Sequence, residues 1–199
     1  MTKTPLPTNF IKHTSKNPIQ KFLISNFYSS LISLVETLSP STILDAGCGE
    51  GFTMNKLSKN SIVKKIEGIE YEKEAISLGK KLFPKLIFKE GSAYDLPYKD
   101  NAFDLVVCTE VLEHLEEPTK ALREVLRVSN KYILISVPNE PFFMLANFIR
   151  GKNLSRLGND PGHINHWTIG SFLGFLKKNG LRVKKIKLPF PWILILGEK

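Results

Sequence analysis

Ile43-Leu44-Asp45-Ala46-Gly47-Cys48-Gly49-Glu50-Gly51 is the stretch that decides the fold. An apolar run of strand length leads directly into three glycines at alternate positions, and residues 52–59 then have helical character. Glycine lets the backbone turn sharply there, and it lets a ligand reach main-chain N–H groups with no Cβ in the way. Asp45 falls at the carboxyl end of the strand, the edge where open α/β sheets bind their ligands. The glycines are spaced G-x-G-x-G, which counts against the G-x-G-x-x-G turn of a dinucleotide site. An acidic residue beside them would also repel a pyrophosphate, whereas it suits a cationic ligand.

Around this stretch, strand-like runs at residues 42–46, 65–70, 85–89, 103–108 and 132–137 alternate with helical stretches at 52–59, 72–83 and 119–128. Apolar strands separated by helices indicate a parallel sheet covered on both faces, and right-handed crossovers make it doubly wound. The end of the chain differs. A helix over 168–179 stops at Gly180, and strands at 181–188 and 192–196 are joined only by Pro189, Phe190 and Pro191. Strands so close in sequence pair antiparallel. The expected class is therefore α/β, a doubly wound, mostly parallel seven-stranded sheet with an antiparallel last strand. Upstream, Asn17 and Pro18 open a helix whose apolar residues are Ile19, Phe22, Leu23, Phe27, Leu31, Leu34, Val35 and Leu38. Residues 1–16 read as a polar arm, and 17–199 as a single domain.

With 199 residues, 42% of them hydrophobic, the chain can build one substantial core. Two cysteines exclude a disulfide-stapled module and favour a reducing compartment. No apolar run approaches the ~18 residues of a membrane span, and Met1 to Thr14 has no export-signal core. The expected location is the cytoplasm. The formal charge of +9 invites a nucleic-acid partner, but only five of the 28 basic residues are Arg, leaving 23 scattered Lys. Arg is the better phosphate and base reader, so a nucleic-acid partner is disfavoured.

Glu70 ends the second strand about twenty positions beyond the glycines, where a carboxylate can accept both hydroxyls of a ribose. Further on lie Gly91-Ser92-Ala93-Tyr94-Asp95-Leu96-Pro97 and the run from Phe103 through Cys108, Thr109, Glu110, Glu113 and His114 to Leu115. Together these motifs resemble the class I S-adenosylmethionine-dependent methyltransferases, in particular the ubiquinone-biosynthesis-like, type 11 branch. The resemblance covers residues 41 to 196, and the terminal hairpin agrees with it.

That resemblance implies a Rossmann-like methyltransferase fold, S-adenosyl-L-methionine as cofactor and S-adenosyl-L-homocysteine as product. It implies that Gly47 and Gly49, with Ala46 and Cys48 beside them, pass under the methionine and ribose. Asp45 would help hold the methionine ammonium and Glu70 the ribose hydroxyls, with Tyr71 against the adenine and Ser92 and Ala93 at its edge. The family commonly has Asp where this chain has Ser92. Cys108, Thr109 and Glu110 would line the methionine arm. The acceptor implied is a small molecule of hydrophobic or anionic character, methylated at oxygen ahead of carbon or nitrogen.

Glu110, Glu113 and His114 imitate half of a metal site if their segment is helical. No second such pair exists in the sequence, and the family's similar segment is structural, so no metal is expected. His163 and His166 lie between the fifth strand and the last helix, where the family builds its acceptor pocket, and are the candidate catalytic residues. Residues 141–167 read as an insertion, apolar through Phe142, Phe143, Met144, Leu145, Phe148 and Ile149 and basic at Arg150, Lys152 and Arg156. Either it is a core-facing helix, or it covers a hydrophobic acceptor or touches a membrane surface. The arm around His13 and Lys16 would complete such a lid. Cys48 and Cys108 read as small buried residues on neighbouring strands. Competing readings are a nicotinamide oxidoreductase, disfavoured by glycine spacing, a silent cofactor-binding partner subunit, and an RNA or protein methyltransferase.

Overall fold

A computed structural model describes residues 8–59, 63–151 and 153–199. Seven strands form one sheet: β1 (Thr42–Ala46), β2 (Lys65–Glu70), β3 (Ile87–Glu90), β4 (Phe103–Thr109), β5 (Ser129–Pro138), β6 (Arg182–Lys187) and β7 (Trp192–Glu198). Their order is β3-β2-β1-β4-β5-β7-β6. The first five are mutually parallel, and β7 runs antiparallel to both neighbours. Order reverses between β1 and β4, so a crevice opens at their carboxyl ends.

Why β1 reads as an unbroken apolar run is plain from its two faces. Ile43 packs with Leu105, Val107, Leu134 and Leu194 under α2 (Pro18–Glu36), α3 (Phe52–Leu57) and α4 (Lys73–Leu82). Leu44 turns the other way, into a core with Val106, Ile133 and Ile135. That second core is closed by α5 (Pro118–Val128) and α7 (Ile169–Lys178), which contribute Leu122, Val125, Phe172 and Leu176. Alternate side chains meet opposite layers, and both layers are dry.

Local chemistry sets the boundaries. Asn17 caps α2, its Oδ1 accepting from the amides of Ile19 and Gln20, and Pro18 needs no hydrogen bond at the first turn. Thr168 and Ser171 form a reciprocal cap on α7. At the opposite end of the sheet from the crevice, Asp104 accepts from the amides of Ser41 and Thr42 at 3.0 and 2.9 Å, while Thr42 Oγ1 accepts from the Asp104 amide. The two central strands therefore start in fixed register.

Several expectations need correction. Within the arm, residues 8–14 form a helix, α1 (Thr8–Thr14), packed against the rest of the fold. Ile19 and Phe22 are exposed on α2, because the helix begins before it reaches the sheet. The strand expected at residues 85–89 starts at Ile87 and runs to Glu90. Cys48 lies in the glycine loop, two residues past β1, and both cysteines are buried. The insertion contains α6 (Phe142–Ile149), and it is not a core helix: only Ala146 and Asn147 are buried, whereas Phe142, Leu145, Phe148 and Ile149 are exposed. Arg150 ties it to α2 by donating to Gln20 Oε1, and to its own Asn147 Oδ1 at 2.6 Å. Residues 1–7 of the arm and Lys152 of the basic cluster lie outside the described residues. No described helix is long and apolar enough to cross a membrane.

Phe172 is wholly buried between α7 and the sheet. Phe172→Ala is expected to lower stability by about 3–5 kcal/mol, from lost transfer energy and the cavity left behind. Phe22→Ala, on the exposed face of α2, is expected to change it by less than about 0.5 kcal/mol. Urea unfolding of the two variants against the parent measures both.

Candidate functional site

The loop after β1 is possible only because of its glycines. Gly47, Gly49 and Gly51 have φ of +81°, +53° and +83°. A Cβ on Gly47 would also lie 2.4 Å from Val111 Cγ2, so both conformation and space demand its absence. The turn is pinned to the end of β2: the amides of Gly47 and Cys48 donate to the Ile69 carbonyl at 2.8 and 2.9 Å. Glu70 fixes it further, its Oε2 accepting from the Gly49 amide at 2.8 Å and its Oε1 from the amides of Tyr71 and Glu72.

Asp45 sits under this loop at 1% exposure, and neither carboxylate oxygen has a hydrogen-bond partner. Burial, with the negative charge of Glu70 nearby, pushes its pKa up to about 7. A buried carboxylate without partners is costly unless something cationic or hydrogen-bonding reaches it. Tyr71 is 77% exposed at the rim, free to lie against a flat ligand. Ser92 and Ala93 are half-buried past β3, and Ser92 Oγ accepts from the Tyr94 amide at 3.1 Å. Ala46 and Cys108 are wholly inside the core, so they support the cleft and do not line it.

Thr109 ends β4, and Glu110 follows it with a left-handed φ of +59°. That conformation breaks the helix that the 110–114 spacing suggests, leaving one 3-10 turn at Leu112–His114. Glu110 is tied into a network, its Oε1 accepting from Ser136 Oγ at 3.3 Å and its Oε2 from the Trp192 indole. Lys12 of α1 reaches the same carboxylate at 3.5 Å and lies 4.9 Å over the Trp192 ring.

The arm was expected to complete a lid around His13 and Lys16; its helical form and its anchoring through Lys12 and Asn9 were not foreseen. Besides Lys12, Asn9 donates to Glu50 Oε2 at 2.8 Å, and His13 stacks on Phe52 with ring centroids 4.3 Å apart. Burial brings His13 down to about 3, so it packs as a neutral ring. Lys16 is exposed and outside this arrangement. The helix thus bridges the glycine loop, α3 and the end of β4. A cavity of about 370 Å³ lies between α1, α2 and α3, lined by His13, Lys21, Tyr28 and Lys56 among others, but none of the glycine-loop residues faces it.

On the other side of Glu110 a second group gathers. The amides of Ile164 and Asn165 donate to the Glu113 carbonyl at 2.9 and 3.0 Å, and Asn165 Nδ2 donates to the carbonyls of Leu112 and Leu115. This clamp brings His163 against His114, ring centroids 5.0 Å apart. His163 is buried, with Nδ1 3.4 Å from Glu140 Oε1 and its ring 5.0 Å from Phe143 of α6. His166, three residues on, is exposed and does not join the group. Glu113 is 1% exposed and both its oxygens lack partners, with burial and the nearby Glu110 and Glu140 pushing its pKa well above the carboxylate range.

Comparison with known proteins agrees with this geometry. Residues 44–132 match the methyltransferase domain family. The chain is 27% identical over 167 residues to the uncharacterized methyltransferase YcgJ of Bacillus subtilis, covering 79% of this chain and 63% of YcgJ. It is 33% identical over 126 residues to the mitochondrial ubiquinone biosynthesis O-methyltransferase of Candida albicans, covering 58% of this chain and 38% of that protein. The chain therefore spans from about two-fifths to just under two-thirds of the length of these relatives. Among solved structures, magnesium protoporphyrin IX methyltransferase from Synechocystis with bound S-adenosylhomocysteine superposes with a TM-score of 0.70 at 16% identity, covering 96% of this chain and 91% of that one. With the glycine loop, the acidic residues at the ends of β1 and β2 and the β7 reversal all in place, the chain is similar in fold to solved methyltransferases, and its residues 44–132 match the methyltransferase domain family.

Proposed function

We propose that the chain binds S-adenosylmethionine across the carboxyl ends of β1, β2 and β4 and transfers its methyl group to an oxygen of a small, hydrophobic acceptor. The observation that carries this reading is Asp45, a buried carboxylate with no partner beneath a loop that glycines keep free of side chains. The residues present fit the cofactor: its ammonium supplies the charge that Asp45 lacks, and Glu70 and Tyr71 stand where a ribose and a purine would be met.

When bound, the cofactor would supply an electrophilic methyl group on a cationic sulfur that leaves as the neutral thioether. Alignment is then the main task of the protein, and effective molarity can supply ~7–11 kcal/mol of the barrier. Asp45 and Glu70 hold the two ends of the donor. Lys12, Asn9 and His13 hold α1 over the loop and keep water out. In this reading the acceptor would bind beside His163, along residues 141–151 and 153–167. The exposed apolar side chains of α6, joined through Phe143 to His163, support a hydrophobic acceptor, delivered from solution or from a membrane surface. The O-methyltransferase name of the Candida relative supports oxygen as the target. Residues 17–199 serve as one catalytic domain with the helix of the arm as its cover. Two buried free cysteines are in keeping with a reducing, cytoplasmic setting.

Calorimetric titration with S-adenosylmethionine tests the reading, and micromolar binding is the expected result. Glu70→Ala is expected to weaken that binding roughly tenfold to a hundredfold, as loss of a charge-assisted hydrogen-bond acceptor does, while Glu36→Ala on α2 leaves it unchanged. Equal affinities would remove the ribose assignment. A pH series gives an independent check. Only ionised Asp45 pairs with the ammonium, so the dissociation constant is expected to rise about tenfold per pH unit below the folded pKa of about 7 and to level off above it. Asp45→Asn is expected to bind weakly with no such slope.

A further inference from the structure

The cavity of about 370 Å³ between α1, α2 and α3 takes no part in the site described above. None of Asp45, Glu70 and Glu110 lines it, and no residue of α6 does. Its size falls within the range of about 300–1,000 Å³ in which small-molecule sites lie. Each of the three helices places a lysine on it: Lys12 from α1, Lys21 from α2 and Lys56 from α3. Among the described residues no acidic side chain lines the cavity, and of these lysines only Lys12 forms an ion pair, with Glu110. Three ammonium groups around one cavity repel one another unless an anion enters.

Hydrogen-bond donors face the same space. On α2, Lys21, Ser25 and Ser29 recur every four residues, and Ile24, Tyr28 and Ile32 make a second such row beside them. Tyr28 is 5% exposed, and its hydroxyl is held only loosely, 3.4 Å from both His13 Nε2 and Thr53 Oγ1. Burial raises the pKa of this phenol above its ordinary value, so it is a donor at neutral pH. Ser15 Oγ accepts from the Asn17 amide at 3.2 Å and keeps its own O–H to donate. Burial and the charges of Lys12 and Lys56 hold His13 in its neutral form, so the imidazole itself registers the positive field.

These donors select the kind of anion. Among the described residues no arginine lines the cavity, so the planar fork that matches a carboxylate is missing. Ammonium and hydroxyl groups brought from three helices suit a tetrahedral oxyanion, whose oxygens point several ways, and lysine binds phosphate as a point charge. An inorganic phosphate alone would leave most of the volume unfilled. Ile24 and Ile32, both half-buried, offer an apolar wall to an organic body attached to it.

We propose that this cavity binds a soluble phosphate monoester, with Lys12, Lys21 and Lys56 about the phosphate, the hydroxyls of Tyr28 and the α2 serines donating to it, and Ile24 and Ile32 against the organic part. The site stands apart from the methyl-transfer reading and does not depend on it. A ligand there ties α1 to α2 and α3, and by mass action it favours the state in which α1 is folded.

Calorimetric titration of the full chain with phenyl phosphate, inorganic phosphate and benzoate, at constant ionic strength, tests the site. Phenyl phosphate is expected to bind tightest, inorganic phosphate several-fold more weakly because it leaves the apolar wall uncovered, and benzoate at least tenfold more weakly. Lys21→Ala and Lys56→Ala are each expected to weaken phenyl phosphate binding about tenfold, as loss of a charge-assisted hydrogen bond does. Both side chains are exposed, so the circular dichroism of the variants stays that of the parent, and Lys80→Ala, exposed on α4, is expected to bind like the parent. Amide hydrogen exchange of residues 8–14 is expected to slow when phenyl phosphate is bound, and unchanged exchange overturns the coupling to α1. No binding of phenyl phosphate by the parent, equally tight binding of benzoate, or equal binding by the parent, Lys21→Ala and Lys56→Ala overturns the site. Co-sedimentation with phosphatidic acid vesicles asks whether the phosphate arrives on a lipid: retention of the parent and not of Lys21→Ala, with no binding of phenyl phosphate, overturns the assignment to a soluble ligand.

Discussion

A carboxylate that the fold buries and leaves unpaired organises this protein. Asp45 cannot be where it is without β1 at the centre of the sheet, and its isolation there is an unfavourable feature of the ligand-free fold. Everything around it limits the damage or exploits it. The glycine loop closes over it without side chains, Glu70 pins the loop to β2, and Asp104 with Thr42 fixes the far ends of β1 and β4. Strain and desolvation concentrated at one end of a rigid sheet are what a binding site for a cation requires.

A second buried carboxylate without partners, Glu113, sits in a group drawn from three segments rather than from one strand and its loop. Glu113 comes from the turn after β4, His163 from the stretch before α7, and Glu140 from just past the end of β5. None of these is near another in sequence except Glu113 and His114. Their meeting depends on Asn165, whose side-chain amide satisfies two carbonyls of the turn at once. Glu110, close to the unpaired Glu113, is itself well supplied with donors from Ser136, Trp192 and Lys12.

How much of this was legible in the sequence depended on whether the information was local. β1 and β2 were readable to the residue, because both their faces are dry and their ends are marked by glycine and by polar side chains. The β6–β7 reversal followed from a three-residue link too short for a crossover. Helix α1 was not readable: Thr8–Thr14 has no apolar stripe, and its order comes from Phe52, Glu50 and Glu110, all distant in sequence. The left-handed turn at Glu110 was equally hidden, since the residues themselves have helical spacing and only the β4–β5 register, with the Glu110 amide donating to the Ser136 carbonyl, forces them out of it. Apolar α6 resembled a core helix by composition, but in the fold, past the end of β5, most of its large apolar side chains are exposed.

The two-turn helix α1 carries one further consequence. Seven residues are too few to hold helical structure alone in water, since isolated helices shorter than about 12–15 residues are marginal. Its order is therefore borrowed from the glycine loop, α3 and the end of β4. Loosening those contacts melts α1 with them, and roughly 1–2 kcal/mol of backbone entropy regained per freed residue offsets the stacking and ion pairing that melting gives up. Ionic strength, which weakens the Lys12–Glu110 pair, is then a control on how much of the time this helix is formed.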